Sequence, residues 1–162
     1  MQNVEATMTD PSDRPGVLVL PPLLYLAALV VALVLHWLFP MPLPPPAAVR
    51  WLGGGLLIAG IAFGGAGRGA FSKAGTNANP MRPTTTIVSS GAFRISRNPM
   101  YVGMAVAVLG LALLTRIGWL LVVLAPVLVT MHWGVILREE RYLERKFGAD
   151  YVAYRARVRR YL

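Results

Sequence analysis

Four stretches of this chain run without a charge, and polar residues gather in a few places between them. Val17–Phe39 is an uncharged run of 23 residues, long enough as a helix to cross a hydrocarbon core of about 30 Å. Pro21 and Pro22 lie near its start, where proline costs a helix little. Trp51–Gly67 is a second run, rich in glycine, and its Gly60 and Gly64 make a small-xxx-small face that favours close helix packing. Tyr101–Thr115 and Ile117–Leu137 form a third and a fourth, separated only by Arg116. The third run has only 15 residues, so its helix is expected to begin earlier, within Asn98–Met100. The pattern predicts an all-α, polytopic membrane protein with about four transmembrane helices.

The connections add organisation. Residues 1–16 read as a flexible arm, 17–71 as the first two spans, and 72–162 as the region that carries the chemistry. Phe39–Pro46 is rich in proline and reads as a short, stiff link. Ser72–Ser96 is the one long polar loop, of the kind that commonly serves function. Thr115-Arg116-Ile117-Gly118 leaves room only for a tight turn, so the last two spans form an antiparallel helical hairpin. That hairpin brings Asn98–Tyr101 and Arg138–Arg141 to one membrane face. The tail from Arg138 to Leu162 spaces apolar residues among arginines. It reads as an amphipathic helix on the headgroups, broken near Gly148, with Tyr151 and Tyr154 as interfacial aromatics.

Composition agrees: 56% of residues are hydrophobic and 14% charged, against about 25% charged in soluble domains. The acidic residues Glu5, Asp10 and Asp13 ahead of the first run, with only Arg14 to oppose them, are wrong for a cleaved leader, so that run is expected to be a retained span. Fourteen of the sixteen basic residues lie in the N-terminal arm, in 68–97 and in 138–160, leaving Arg50 and Arg116 for the opposite loops. By the positive-inside rule, both termini and the central loop are expected to be cytoplasmic. The net charge of +9 then reads as topology and attraction to anionic lipids rather than nucleic-acid binding, since no nucleic-acid module accompanies it. Absence of cysteine excludes disulfides, thiolate metal sites and a cysteine nucleophile. Fourteen arginines against two lysines suggest a bacterial source, hence an inner membrane.

Candidate chemistry is concentrated at the cytoplasmic edge. No Asp or Glu occurs between Asp13 and Glu139, where Glu139 and Glu140 appear together as the fourth run ends. They read either as a solvated helix end paired with Arg138 and Arg141 or as part of a buried network with Arg94 and Arg97, which would bind a ligand or serve as structural glue. His132, seven residues before Glu139, falls on the same face of a regular helix; one neighbouring hydroxyl would satisfy it as a structural group. His36 and His132 lie too far apart for a metal site. The Gly65–Ala70 cluster follows a membrane helix, where a dinucleotide fingerprint needs a strand.

Two segments carry a resemblance. Ser90-Gly91-Ala92-Phe93-Arg94-Ile95-Ser96-Arg97-Asn98-Pro99-Met100-Tyr101-Val102-Gly103 and Arg138-Glu139-Glu140-Arg141-Tyr142-Leu143, the latter followed by Phe147-Gly148, Tyr151, Tyr154 and Val158, occur in order around the hairpin. Together they resemble the signatures of the isoprenylcysteine carboxyl methyltransferase and phospholipid methyltransferase superfamily, over roughly residues 75–162. The resemblance implies S-adenosylmethionine as cofactor and a lipophilic acceptor drawn from the bilayer. It implies Arg97 for the cofactor carboxylate, whose geometry suits a guanidinium fork. Glu139 or Glu140 would take its ammonium or ribose, and the backbone of Ile87, Val88 and Gly91 would run beside the adenine. Phe93 or Tyr101 would lie against a flat or cationic group. Pro99 would make Asn98 the N-cap residue and aim it at the pocket. Arg94, Tyr101, Glu139 and Glu140 are the residues expected at the reacting groups, with Arg94 on an anionic acceptor. Many relatives carry histidine where this chain has Asn98, and an asparagine cannot serve as a base. The plan also resembles membrane sterol reductases, which use NADPH, and a small non-catalytic adaptor with a lipid-binding tail is the other alternative.

Overall fold

The computed structural model describes residues 15–44, 46–77, 79 and 81–162. The arm expected over residues 1–16 falls almost wholly outside the described residues. Five helices carry the fold: α1 (Pro21–Leu38), α2 (Ala47–Lys73), α3 (Pro99–Thr115), α4 (Trp119–Phe147) and α5 (Ala149–Arg157). No strand occurs among the described residues. Helices α1, α2 and α4 are long and apolar enough to cross a membrane, and α3, at 17 residues, is a shorter apolar helix beside them.

Most element boundaries come from local chemistry. Pro21 opens α1 and Pro99 opens α3, both at positions where a missing N–H leaves no helical bond unmade. Between α3 and α4, Arg116 takes the left-handed conformation (φ 65°) and closes the turn. The proline-rich link is pinned to that turn: Leu43 N–H donates to Arg116 O, and the Arg116 Nε–H donates to Leu43 O, both at 2.9 Å.

Helices α2 and α3 meet backbone to backbone. A Cβ on Gly60 would lie 2.5 Å from Ala107 N and 2.6 Å from Gly103 O; one on Gly110 would collide with Leu57 N. Gly53 closes on Gly110 and Leu114 in the same way. The seam therefore runs along Gly53, Gly60 and Gly67 of α2. The expected Gly60/Gly64 face is where α3 comes close, since a Cβ on Gly103 would lie 2.6 Å from both Gly60 O and Gly64 N.

Two expectations are corrected. The helix built on the fourth uncharged run does not end with it: α4 continues past Leu137 to Phe147 and includes a π-helical turn, Met131–Ile136. A π turn holds one residue more than an α turn and shifts the downstream residues by one position. It carries His132 off the face of Glu139, and His132 Nδ1 is hydrogen-bonded to the Tyr161 hydroxyl instead. In the tail, moreover, Tyr151 and Tyr154 are not interfacial aromatics. The chain breaks at Gly148 (φ 51°), and α5 folds back with Tyr151 and Tyr154 buried. They are core residues because the turn at Gly148 aims them at the protein.

Candidate functional site

The loop after α2 re-enters the protein at Gly91, whose positive φ (58°) starts a single 3-10 turn, Gly91–Arg94. Phe93 is buried there, edge-on to Phe71 at 4.9 Å, and its carbonyl accepts from the Tyr154 hydroxyl at 2.8 Å. From this anchor the backbone runs beside the tail: Ser96 bridges to Arg159, and Arg97 N–H donates to Arg159 O at 2.9 Å. Ser96 is fully buried and bonds both ways, its hydroxyl donating to Arg160 O at 3.3 Å and accepting from Asn98 N–H at 3.0 Å.

Asn98 occupies the N-cap position, as expected, but its side chain caps nothing. Its amide instead donates to Arg160 O at 3.0 Å. Through that donated bond Asn98 ties the start of α3 to the C-terminal segment.

The centre of the site is charged. Arg97 Nη1 lies 3.1 Å from Glu140 Oε1, both side chains buried. Arg160 approaches the same carboxylate with two donors, Nε to Oε1 at 3.0 Å and Nη2 to Oε2 at 2.8 Å. Glu140 is thus held by two guanidiniums, and its pairing with Arg160 raises the Arg160 pKa above its usual value. Glu139 points to different company, accepting from the Tyr101 hydroxyl at 2.7 Å. The Tyr25 hydroxyl donates to Tyr101 O, which reaches α1 into the same region. Tyr142 fastens the polar loop from below, accepting from Thr84 N–H at 3.2 Å.

Around these groups lies a narrow cleft of about 80 Å³. Of the residues singled out in the sequence, it brings together Ile87, Val88, Phe93, Arg97, Asn98, Pro99, Tyr101, Glu139 and Glu140. Gly91 and Arg94 do not line it and are exposed. Arg160 and Tyr151 were missed by sequence reasoning, which took them as headgroup-facing residues; only the tail's return reveals them. Beside the cleft, α1, α2 and α3 enclose an apolar groove lined by Pro21, Ile61, Gly64 and Met104, and the two share Asn79, Met100 and Tyr101.

The donor set fits S-adenosylmethionine. Arg97 commits Nη1 to Glu140 and Tyr151, while its Nε, fully buried, has no hydrogen-bond partner among the described residues. A buried, unpaired guanidinium donor beside a cleft is costly unless a ligand meets it, and a carboxylate is its natural complement. Phe93, Val88 and Ile87 offer apolar surface for a purine, and Glu139 offers an acceptor.

No curated protein and no solved structure matches the chain. The family model described as phospholipid methyltransferase matches residues 48–150, from the first turn of α2 to the start of α5. That span covers both the Arg97–Tyr101 segment and the Glu139–Glu140 pair, and the chain belongs to the phospholipid methyltransferase family of membrane enzymes, whose methyl donor is S-adenosylmethionine.

Proposed function

We propose that this protein transfers a methyl group to a lipophilic acceptor at the cytoplasmic face of the membrane, with S-adenosylmethionine in the Arg97–Glu140 cleft. The observation that carries this reading is the junction at Tyr101, where a polar cleft with an unpaired buried guanidinium meets an apolar groove between membrane helices. A lipid enters such a groove sideways from the bilayer, and its head reaches the cleft without the tail leaving apolar surroundings. The fourteen-to-two split of basic residues supports the cytoplasmic orientation.

When bound, S-adenosylmethionine supplies a methyl on a sulfonium, which leaves as a neutral thioether. The chain's residues do the rest. Arg97 Nε takes the cofactor carboxylate, while Glu140 holds the Arg97 fork flat and is itself braced by Arg160. Glu139 takes an ammonium or a ribose hydroxyl, and Tyr101 fixes which way its carboxylate faces. Asn98 cannot accept a proton and serves to position the α3 terminus. An acceptor that is already ionised needs no base, and an amine or hydroxyl acceptor finds its base in Glu139. Most of the rate then comes from alignment in a closed site.

Calorimetric titration of the purified protein with S-adenosylhomocysteine tests the assignment. Arg97→Lys keeps the charge opposite Glu140 but removes the Nε donor. It should weaken binding about tenfold or more, or about 1.4 kcal/mol, while the melting temperature stays near wild type. Unchanged affinity in Arg97→Lys would remove Arg97 from the cofactor site. Binding of NADPH alone would point to a reductase, and binding of neither cofactor would overturn the enzymatic reading.

A further inference from the structure

We infer that residues 81–87 form a flap over the cofactor cleft and that the Tyr142 hydroxyl is the latch that holds it shut. Tyr142 is thereby a positioning residue that controls how S-adenosylmethionine enters. This inference rests on the reading of the cleft as the cofactor site and adds the step by which that site opens.

The cleft as it stands is smaller than its ligand. It offers about 80 Å³, whereas sites that enclose a small organic ligand span about 300–1,000 Å³. An adenine, a ribose and an amino-acid arm need space of that order, so one wall must yield. Most of the walls are fixed. Arg97 and Asn98 are bonded to the tail, Tyr101 is bonded to Glu139, and Phe93 is packed on Phe71 and bonded by Tyr154. Glu140 and Tyr142 on α4 and Tyr151 on α5 are buried.

The wall that remains includes Thr84, Thr86 and Ile87. Among the described residues, 81–87 are tied to the helices by one hydrogen bond, from Thr84 N–H to the Tyr142 hydroxyl at 3.2 Å. Their other bonds stay within the loop. Thr85 N–H donates to Thr76 Oγ1 at 3.1 Å, the Asn77 amide to Pro83 O at 3.4 Å, and Arg82 N–H to Asn79 O at 3.0 Å. The segment is braced against itself and can move as a unit. Gly75 stands at one foot, left-handed (φ 65°) and with open space around it, so it can absorb the rotation. Buried Val88 marks the other foot, where the fixed wall resumes. Tyr142 rides on the same helix as the two glutamates, so the latch is read against a rigid frame. Breaking one bond frees the flap, and the latch competes with the cofactor because the shut form is the one that cannot bind it.

The test uses the full-length protein in detergent, with S-adenosylhomocysteine as the probe. Tyr142→Phe keeps the buried ring and removes the latch, so it should bind the probe faster and about twofold to tenfold more tightly than wild type. A tyrosine that touched the cofactor or merely supported the fold would weaken binding when altered, so unchanged or weaker binding would overturn the latch. The chain has no cysteine, and spin labels at Thr85→Cys and Arg145→Cys, both exposed positions, report the flap directly. Saturating S-adenosylhomocysteine should shift the distance between the labels to longer values, and an unchanged distribution would overturn the flap. Adding Tyr142→Phe to the labelled protein should enlarge the long-distance population with no ligand present. Such growth in a protein that binds no S-adenosylhomocysteine would overturn the cofactor assignment and leave the flap standing; no growth would overturn the flap.

Discussion

Along α3, the stretch from Gly103 to Gly110 meets α2 backbone to backbone, whereas Asn98 to Tyr101 meets the rest of the chain through side-chain hydrogen bonds beside a buried ion pair. The first contact is set by absence of side chains and tolerates no addition. The second is set by donor and acceptor counts, and each partner removed leaves another unsatisfied. One helix thus separates what holds the membrane part together from what shapes the site, and the two can be perturbed independently.

The largest effect should come from filling the seam. Gly103→Val would drive a side chain into Gly60 O and Gly64 N, both 2.6 Å from the new Cβ. Rigid backbone on both sides cannot yield, so the loss should exceed the roughly 1–3 kcal/mol of ordinary overpacking. Gly55→Ala, on the facing helix α2 with nothing within 4 Å, should be silent. Recovery of monodisperse protein from detergent separates the two; equal recovery would show that the seam is not the structural core.

Next in size is the loss of Glu140. Glu140→Ala leaves Arg97 and Arg160 facing each other without their shared carboxylate, a change of about 3–5 kcal/mol for a buried pair. Thermal melting should drop and S-adenosylhomocysteine binding should be lost, while Arg160→Ala, which removes the more exposed partner, should cost less on both counts. If Arg160→Ala proved the more damaging, the tail rather than the Arg97 pair would be the true brace.

The smallest effect is a pH dependence confined to the side-chain half. Burial, reinforced by Glu140, pushes the Tyr151 hydroxyl up to about 12, and burial raises Tyr154 as well. In the unfolded chain a tyrosine ionises near pH 10. The folded form keeps its proton longer, so this contribution is full below about pH 10 and is lost as pH rises toward about 12. Melting curves between about pH 9 and 12 should fall more steeply for wild type than for Tyr151→Phe/Tyr154→Phe. Parallel curves would place both tyrosines outside the packed cap.

Much of this was legible in the residues. Uncharged runs located the spans, Asn98-Pro99 marked the start of α3, and the short Thr115–Gly118 link forced the hairpin that joins Arg97 to Glu140. Each of those rests on local chemistry or chain length. What escaped depends on contacts distant in sequence. Nothing near Arg160 says that its carbonyl will satisfy Ser96 and Asn98, and an arginine-rich tail reads the same whether it faces lipid or folds inward. The π turn was hidden too, since Met131–Ile136 has the composition of any membrane helix. Arg94 was drawn into the site by its nearness to Arg97 in sequence, yet the turn that buries Phe93 sends it outward.

The π turn has a consequence of its own. It sits between the membrane part of α4 and the glutamates, so the direction in which Glu139 and Glu140 point depends on how many residues precede them, not only on which. If Met131–Ile136 relaxed to regular winding with its length unchanged, everything beyond it would swing by about 100°. The carboxylates would leave the cleft with their sequence motif intact. The site is tuned at this point by winding as much as by sequence, and a one-residue deletion that let the turn wind regularly would return both carboxylates to nearly the direction they have now.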